Sequence, residues 1–266
     1  MTLDLSRRVP LPTRLGVHRA AWVLGAGAVL TQITFPLTGG GTTVLTVLAV
    51  VLFAGASVAH AGAVRGPRAA AALVLVAGGG GLLAEAVGVA TGWPFGEYAY
   101  TDSLGAQVLG VPLLVPAAWV MMAYPALLVA RRLAGAHGRT AVALVAAVAL
   151  ASWDVFLDPQ MVEAGHWVWR HPTPSLPGVD GIPLTNFAGW LLVALVLGAV
   201  LDRVLPDPPR SDDRLPVALY LWTYTSSVMA AAVFFGRPSV ALVGGVLMGL
   251  VAVPLMVTLR RHGMRR

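Results

Sequence analysis

Eight apolar stretches, each near the length of a membrane-crossing helix, recur along the chain. They run roughly Ala20 to Leu37, Thr43 to Val64, Ala69 to Ala90, Val111 to Leu133, Thr140 to Leu157, Thr185 to Leu205, Pro216 to Phe235 and Ser239 to Leu259. A helix crosses the hydrocarbon core in about 20 residues. The pattern therefore predicts an all-α, polytopic transmembrane bundle of eight spans, forming one integral membrane domain over residues 1–266. Glycine and proline inside the stretches are tolerated, because neighbouring helices can satisfy the freed backbone groups. Only a Gly-rich turn at Gly39 to Gly41 splits the first two. Composition points the same way. The chain is 57% apolar and 11% charged, with a mean hydropathy of +0.78. A water-soluble domain carries nearer about a quarter charged residues.

The net charge is +6, and all 18 basic residues are arginine. With the N-terminus in the cytoplasm, sixteen of them fall on the cytoplasmic side, including Arg7, Arg8, Arg14, Arg65, Arg131, Arg139, Arg203, Arg210, Arg214, Arg265 and Arg266. Only Arg170 and Arg237 fall outside. This asymmetry predicts a multi-pass protein of the cell membrane with both termini cytoplasmic. Arginines lying between apolar segments fit anionic lipid headgroups, not nucleic acid. The first segment lacks the small-residue cleavage site of a signal peptide. The chain has no cysteine, which excludes disulfides, thiolate metal sites and cysteine nucleophiles.

Two outer loops are long, Thr91 to Gly110 and Asp158 to Leu184, and long loops often carry function. Seven of the twelve acidic residues fall on this outer half: Glu85, Glu97, Asp102, Asp154, Asp158, Glu163 and Asp180. Glu85 lies six residues, about 9 Å, inside the third segment. Asp154 lies one turn inside the fifth, and Asp158 ends it ahead of Pro159. The two aspartates, four apart, share a helix face. An ionisable group within a span usually faces the bundle interior or a wet cavity. Taking a carboxyl out of water favours its proton-carrying form, so such a group can serve as an acid or orient water. The plainer alternative is a carboxylate bonded to backbone or to an arginine, and arginines are scarce on this side. For Asp158, ordinary Asp-Pro turn chemistry is a further alternative.

Aromatics crowd the same end: Trp93, Phe95, Tyr98 and Tyr100 in one loop, and Trp153, Trp167, Trp169, Phe187 and Trp190 around the other. An interfacial belt would explain them, but a belt belongs at both faces. Six of the eight tryptophans fall at this one. Aromatic faces beside carboxyls suit the stabilisation of a cation. Of the six histidines, His166 and His171 share an outer loop, where a weak metal site competes with plain exposure. His60 reads as packed or interfacial, and the charges of the linker from Pro206 to Arg214 as solvated. Asp154 to Asp158 also fits D-x-x-x-D, a magnesium-diphosphate pattern of membrane prenyltransferases. The chain lacks a second aspartate-rich motif and any lysine to hold a diphosphate.

Two stretches together carry a resemblance. The first is Glu85-Ala-Val-Gly-Val-Ala-Thr-Gly-Trp-Pro-Phe-Gly-Glu-Tyr-Ala-Tyr100, followed by Gly110-Val-Pro112 and Trp119. The second is Asp154-Val-Phe-Leu-Asp-Pro159, then Trp167-Val-Trp169, then Gly181-Ile-Pro-Leu-Thr-Asn-Phe-Ala-Gly-Trp190. They resemble the carotenoid biosynthesis membrane protein family, that of bisanhydrobacterioruberin hydratase and γ-carotene hydratase. The resemblance covers the third to sixth segments. This chain departs from it at His171 to Pro177, where a shorter link is expected.

The resemblance implies addition of water across the terminal double bond of an acyclic ψ-end group, giving a tertiary alcohol. The substrate would be a carotenoid in the bilayer, with water as co-substrate and neither a cofactor nor a metal. Association with other carotenoid enzymes is compatible with it. On that reading Asp154 or Glu85 is the acid, and Asp158, Glu97 and Asn186 orient water. Tyr98, Tyr100, Trp167 and Trp169 line the cation site, with Trp93, Phe95, Trp153, Phe187 and Trp190 also against the substrate. A lycopene-type cyclase would use the same protonation. A non-catalytic carotenoid or lipid carrier needs none of it.

Overall fold

The computed structural model describes residues 12–39, 41–208 and 211–263. Arg7, Arg8, Arg210, Arg265, Arg266 and Gly40 of the expected loops and termini lie outside the described residues. Eight helices among those described are long and apolar enough to cross a membrane. They are α1 (Pro12–Leu37), α2 (Thr43–Arg65), α3 (Pro67–Thr91), α4 (Leu114–Ala134), α5 (Arg139–Glu163), α6 (Leu184–Val204), α7 (Arg214–Phe234) and α8 (Pro238–Gly263). Two carry a wider π turn, α3 over Val74–Gly79 and α7 over Ala230–Phe234. Such turns are frequent beside functional sites.

α4 and α5 form the centre of the bundle. Trp119 to Ala130 of α4 is an unbroken buried run, and α5 buries a small-residue seam of Ala143, Ala146, Ala147 and Ala149. Small side chains let helix backbones approach closely, where packing and not hydrophobicity drives association in lipid. The outer helices turn large apolar side chains such as Val23, Leu75, Leu242 and Leu250 outward. A lipid-facing surface has that character.

α5 differs from expectation. The fifth segment was expected to end at Asp158, but the helix continues through Pro159 to Glu163. Proline removes one intrahelical donor, and the helix absorbs that loss. Asp158 is therefore an interior helical residue and not turn chemistry, and Asp154 lies more than two turns from the end.

At one end, which holds most of the described arginines, the linker into α7 is pinned. Arg65 donates to Asp213 Oδ1 and Oδ2 at 2.8 and 2.9 Å and to Tyr124 Oη at 2.9 Å. His60 Nδ1 lies 2.9 Å from Tyr124 Oη, and its Nε2 donates to the Asp212 carbonyl at 2.7 Å. The linker charges were expected to be solvated; Asp213 instead neutralises a buried guanidinium. At the opposite end the two long loops fold into three short antiparallel ribbons, an addition to the all-helical expectation. β1 (Tyr98–Tyr100) pairs with β4 (Trp167–Trp169), β2 (Gln107–Val108) with β3 (Val111–Pro112), and β5 (Ser175–Leu176) with β6 (Val179–Pro183).

Candidate active site

The β1–β4 ribbon joins the two loops. Tyr98 stands opposite Trp169, Ala99 opposite Val168, and Tyr100 opposite Trp167. Successive strand residues point to opposite faces, so Tyr98, Tyr100, Trp167 and Trp169 share one face. That face turns inward; Ala99 and Val168 are exposed. Backbone bonds from Thr101 N to His166 O and from Arg170 N to Glu97 O, both 2.9 Å, fasten the ribbon at either end.

Each inward ring donates to a carboxyl. Tyr98 Oη and Tyr100 Oη donate to Glu85 Oε2 at 2.5 and 2.9 Å. Trp119 Nε1 on α4 donates to Glu85 Oε1 at 3.2 Å. Trp167 Nε1 and Trp169 Nε1 donate to Asp158 Oδ1 at 2.6 and 3.2 Å. On α6, Asn186 spends both amide protons: Nδ2 donates to Asp154 Oδ2 at 2.7 Å and to Asp158 Oδ2 at 2.6 Å. Burial, with the adjacent Glu85 charge, pushes both phenols well above the usual tyrosine range, so Tyr98 and Tyr100 remain O–H donors.

The three carboxyls are all buried, and they differ in what is left free. Both oxygens of Glu85 and both of Asp158 accept hydrogen bonds. Among the described residues, no donor reaches Asp154 Oδ1 or Asn186 Oδ1. All four residues border a cavity of about 680 Å³, part of it open to the outside. Apart from these groups and Thr46 its walls are apolar and aromatic, and include Trp153, Trp190 and Phe95. Trp119 and Trp190 stack in parallel, centroids 4.2 Å apart.

Two glycines make the close packing possible. A Cβ on Gly88 would lie 2.7 Å from Phe95 Cδ2 and 2.8 Å from Tyr98 Oη. A Cβ on Gly189 would meet Phe95 Cδ1 at 2.7 Å and the Pro94 carbonyl oxygen at 2.9 Å. Phe95 thus wedges between α3 and α6, where any side chain at these positions would displace it.

The cavity gathers Glu85, Asp154, Asp158, Asn186, Tyr98, Tyr100, Phe95, Trp153, Trp167, Trp169 and Trp190 from the sequence candidates. Three candidates lie elsewhere. Glu97 is exposed and faces Arg170 and His171 at 3.7 and 3.8 Å. It sits in register beside Tyr98, so the strand alternation turns it away from the carboxyls. Trp93 is 63% exposed. Phe187, next to Asn186 on α6, packs partly buried against the core outside the cavity wall. His166 and His171 part company: His166 is buried with Nδ1 2.7 Å from Ser103 Oγ, contrary to the exposure expected of it, while His171 is exposed. Trp119 received no role from the sequence, although the resemblance includes it. Its indole bond to Glu85 spans 34 residues, and no local spacing signals it.

The profile of the family described as carotenoid biosynthesis protein matches residues 41–258. Bisanhydrobacterioruberin hydratase of Haloarcula japonica is 38% identical over 152 residues, which is 52% of this chain and 50% of that protein. The match thus spans about half the length of that curated relative. No solved structure matches the chain. A profile match over most of the sequence, including every residue of the carboxyl–aromatic cavity, makes this chain a member of the carotenoid biosynthesis protein family.

Proposed function

We propose that the protein is a carotenoid hydratase that adds water to the terminal double bond of an acyclic ψ-end group. The observation that carries this reading is Asp154, a buried carboxyl with one uncommitted oxygen in an apolar, aromatic-walled cavity. Glu85, with both oxygens taken, holds the ribbon. Asp154 gives its proton to the less substituted alkene carbon, and the π pair becomes the new C–H bond. The tertiary cation left on the neighbouring carbon faces the rings of Tyr98, Tyr100, Trp167 and Trp169. A water resting on Asn186 Oδ1 adds its oxygen to that carbon, and the Asp154 carboxylate takes the released proton. Alkene plus water gives a tertiary alcohol, the acid is restored, and no electrons are exchanged with a cofactor.

The arginine asymmetry supports both termini in the cytoplasm, with the cavity near the outer face of the cell membrane. The polyene then lies among the helices, since its length is comparable with the hydrocarbon thickness. The test is expression in a lycopene-accumulating host and identification of pigments by mass. A product heavier by one water supports hydration. A product of unchanged mass but altered chromatography identifies a cyclase, and bound pigment without conversion identifies a carrier.

A further inference from the structure

A second cavity lies against the first. It is a space of about 920 Å³, part of it open to the outside, between α1, α2, α4, α5, α7 and α8. The two cavities share walls. Trp153, Leu157 and Met161, at i, i+4 and i+8 on α5, border both, as do Thr46 and Val50, at i and i+4 on α2. Residues at such spacing form one stripe. The boundary between the cavities is therefore formed by two mostly apolar stripes.

The chambers differ in chemistry. The second has Thr223, Ser226 and Ser227 along one face of α7, with Gln32 and Gln160 beside them. Among the described residues, neither Ser227 Oγ nor the Gln160 amide has a hydrogen-bond partner. Its rim carries Arg237, ion-paired with Glu163, whose side chain is 71% exposed. Unpartnered hydroxyl and amide groups in a space of this size are the setting in which proteins hold ordered water. The first chamber, by contrast, exposes few polar groups besides the reacting ones.

We propose that the second cavity is an aqueous antechamber, from which single waters pass between Val50 and Leu157 to the carbocation. The inference rests on the hydratase reading and deepens it by assigning the water its own route. The separation has a chemical purpose. Bulk water around Asp154 would favour its ionised form and take the proton before the alkene received it, yet a cation without water loses a proton and reverts to an alkene. An apolar boundary of this kind limits the water that reaches the acid and still delivers the second substrate.

The test runs purified protein with lycopene in liposomes made up in D2O. It measures two outcomes: hydrated product, and deuterium retained in unhydrated carotenoid. The second counts protonations that ended by proton loss. Ser227→Leu and Ala49→Leu fill the second chamber from two different helices without touching the first, and Ser227→Thr keeps the hydroxyl. Both leucine variants are expected to lower hydration about tenfold or more. Deuterium in the unhydrated pool should be retained or rise, and Ser227→Thr should behave as wild type. Parallel loss of hydration and deuterium in both leucine variants would overturn the proposal and make the chamber a seat for the polyene. Unchanged hydration in both would also overturn it. A wild-type protein giving neither hydrated product nor deuterium would instead refute the hydratase reading itself.

Discussion

Tyr98 and Trp169 are partners across the ribbon, ring centroids 4.8 Å apart, yet they serve carboxyls on different helices. Tyr98 bonds Glu85 of α3 and Trp169 bonds Asp158 of α5. The ribbon is thus a clamp that fixes the distance between two helices across the cavity. Side chains directly opposed in an antiparallel ribbon pack on each other and stabilise the pairing. Loosening either anchor therefore disturbs both.

The clamp can be tested without emptying the cavity. Tyr98→Phe and Trp169→Phe retain ring packing and remove the polar donor. Each leaves a buried carboxyl oxygen short of one bond, a loss of about 1–3 kcal/mol. Each single variant should lower the melting temperature in detergent. Because both act on one clamp, the double variant should lose less than the sum. Full additivity in that cycle would show that the ribbon does not couple the two helices.

Asp154→Asn should abolish proton delivery while keeping the shape of the side chain. General-acid catalysis contributes about 10²–10⁴-fold. Hydration should fall by that order, read as hydrated pigment per folded protein. Glu85→Gln should lose far less catalysis for an equal or larger loss of stability, because its oxygens serve the clamp. The reverse ranking would move the acid to Glu85.

Much of this was legible from residue spacing. The apolar periodicity located the eight helices, since each must satisfy its own backbone in lipid. Asp154 and Asp158 at i, i+4 placed two carboxyls on one face. The alternation in Tyr98-Ala99-Tyr100 and Trp167-Val168-Trp169 was visible as well, but their pairing was not. Nothing local reports a partner 60 or more residues away, and it is that pairing which turns all four donors inward. For the same reason Glu97 and Glu85 looked alike as acidic residues near aromatics, although strand parity sends one to solvent. Pro159 was misleading because a proline reads as a helix boundary in water, whereas within a packed apolar bundle the helix ran past it.

Asn186 joins Asp154 to Asp158 through a single nitrogen, so the effect of replacing it should depend on chemistry more than size. Asn186→Leu leaves two neighbouring buried carboxyls with no donor between them, and should cost several-fold in folded yield and most of the activity. Asn186→Asp adds a third carboxyl and should be at least as damaging. Asn186→Gln can retain part of the bridge and should recover some activity. If the leucine variant hydrates as well as wild type, the bridge has no role in the reaction.

His166 provides a pH test outside the helices. Burial lowers its pKa below the ordinary value near 6.5, so the folded state prefers the neutral ring. A histidine depressed in this way contributes its full stability above the unfolded value, and loses it as pH falls through the lower, folded value. His166 sits at the start of β4 with Nδ1 against Ser103 Oγ and its carbonyl bonded to Thr101 N. Protonation should therefore loosen the ribbon first. Melting temperature and hydration should both decline as pH drops below about 6.5, and His166→Gln, which cannot gain that charge, should flatten the decline. Identical acid profiles for the variant and the wild type would assign the sensitivity to another group.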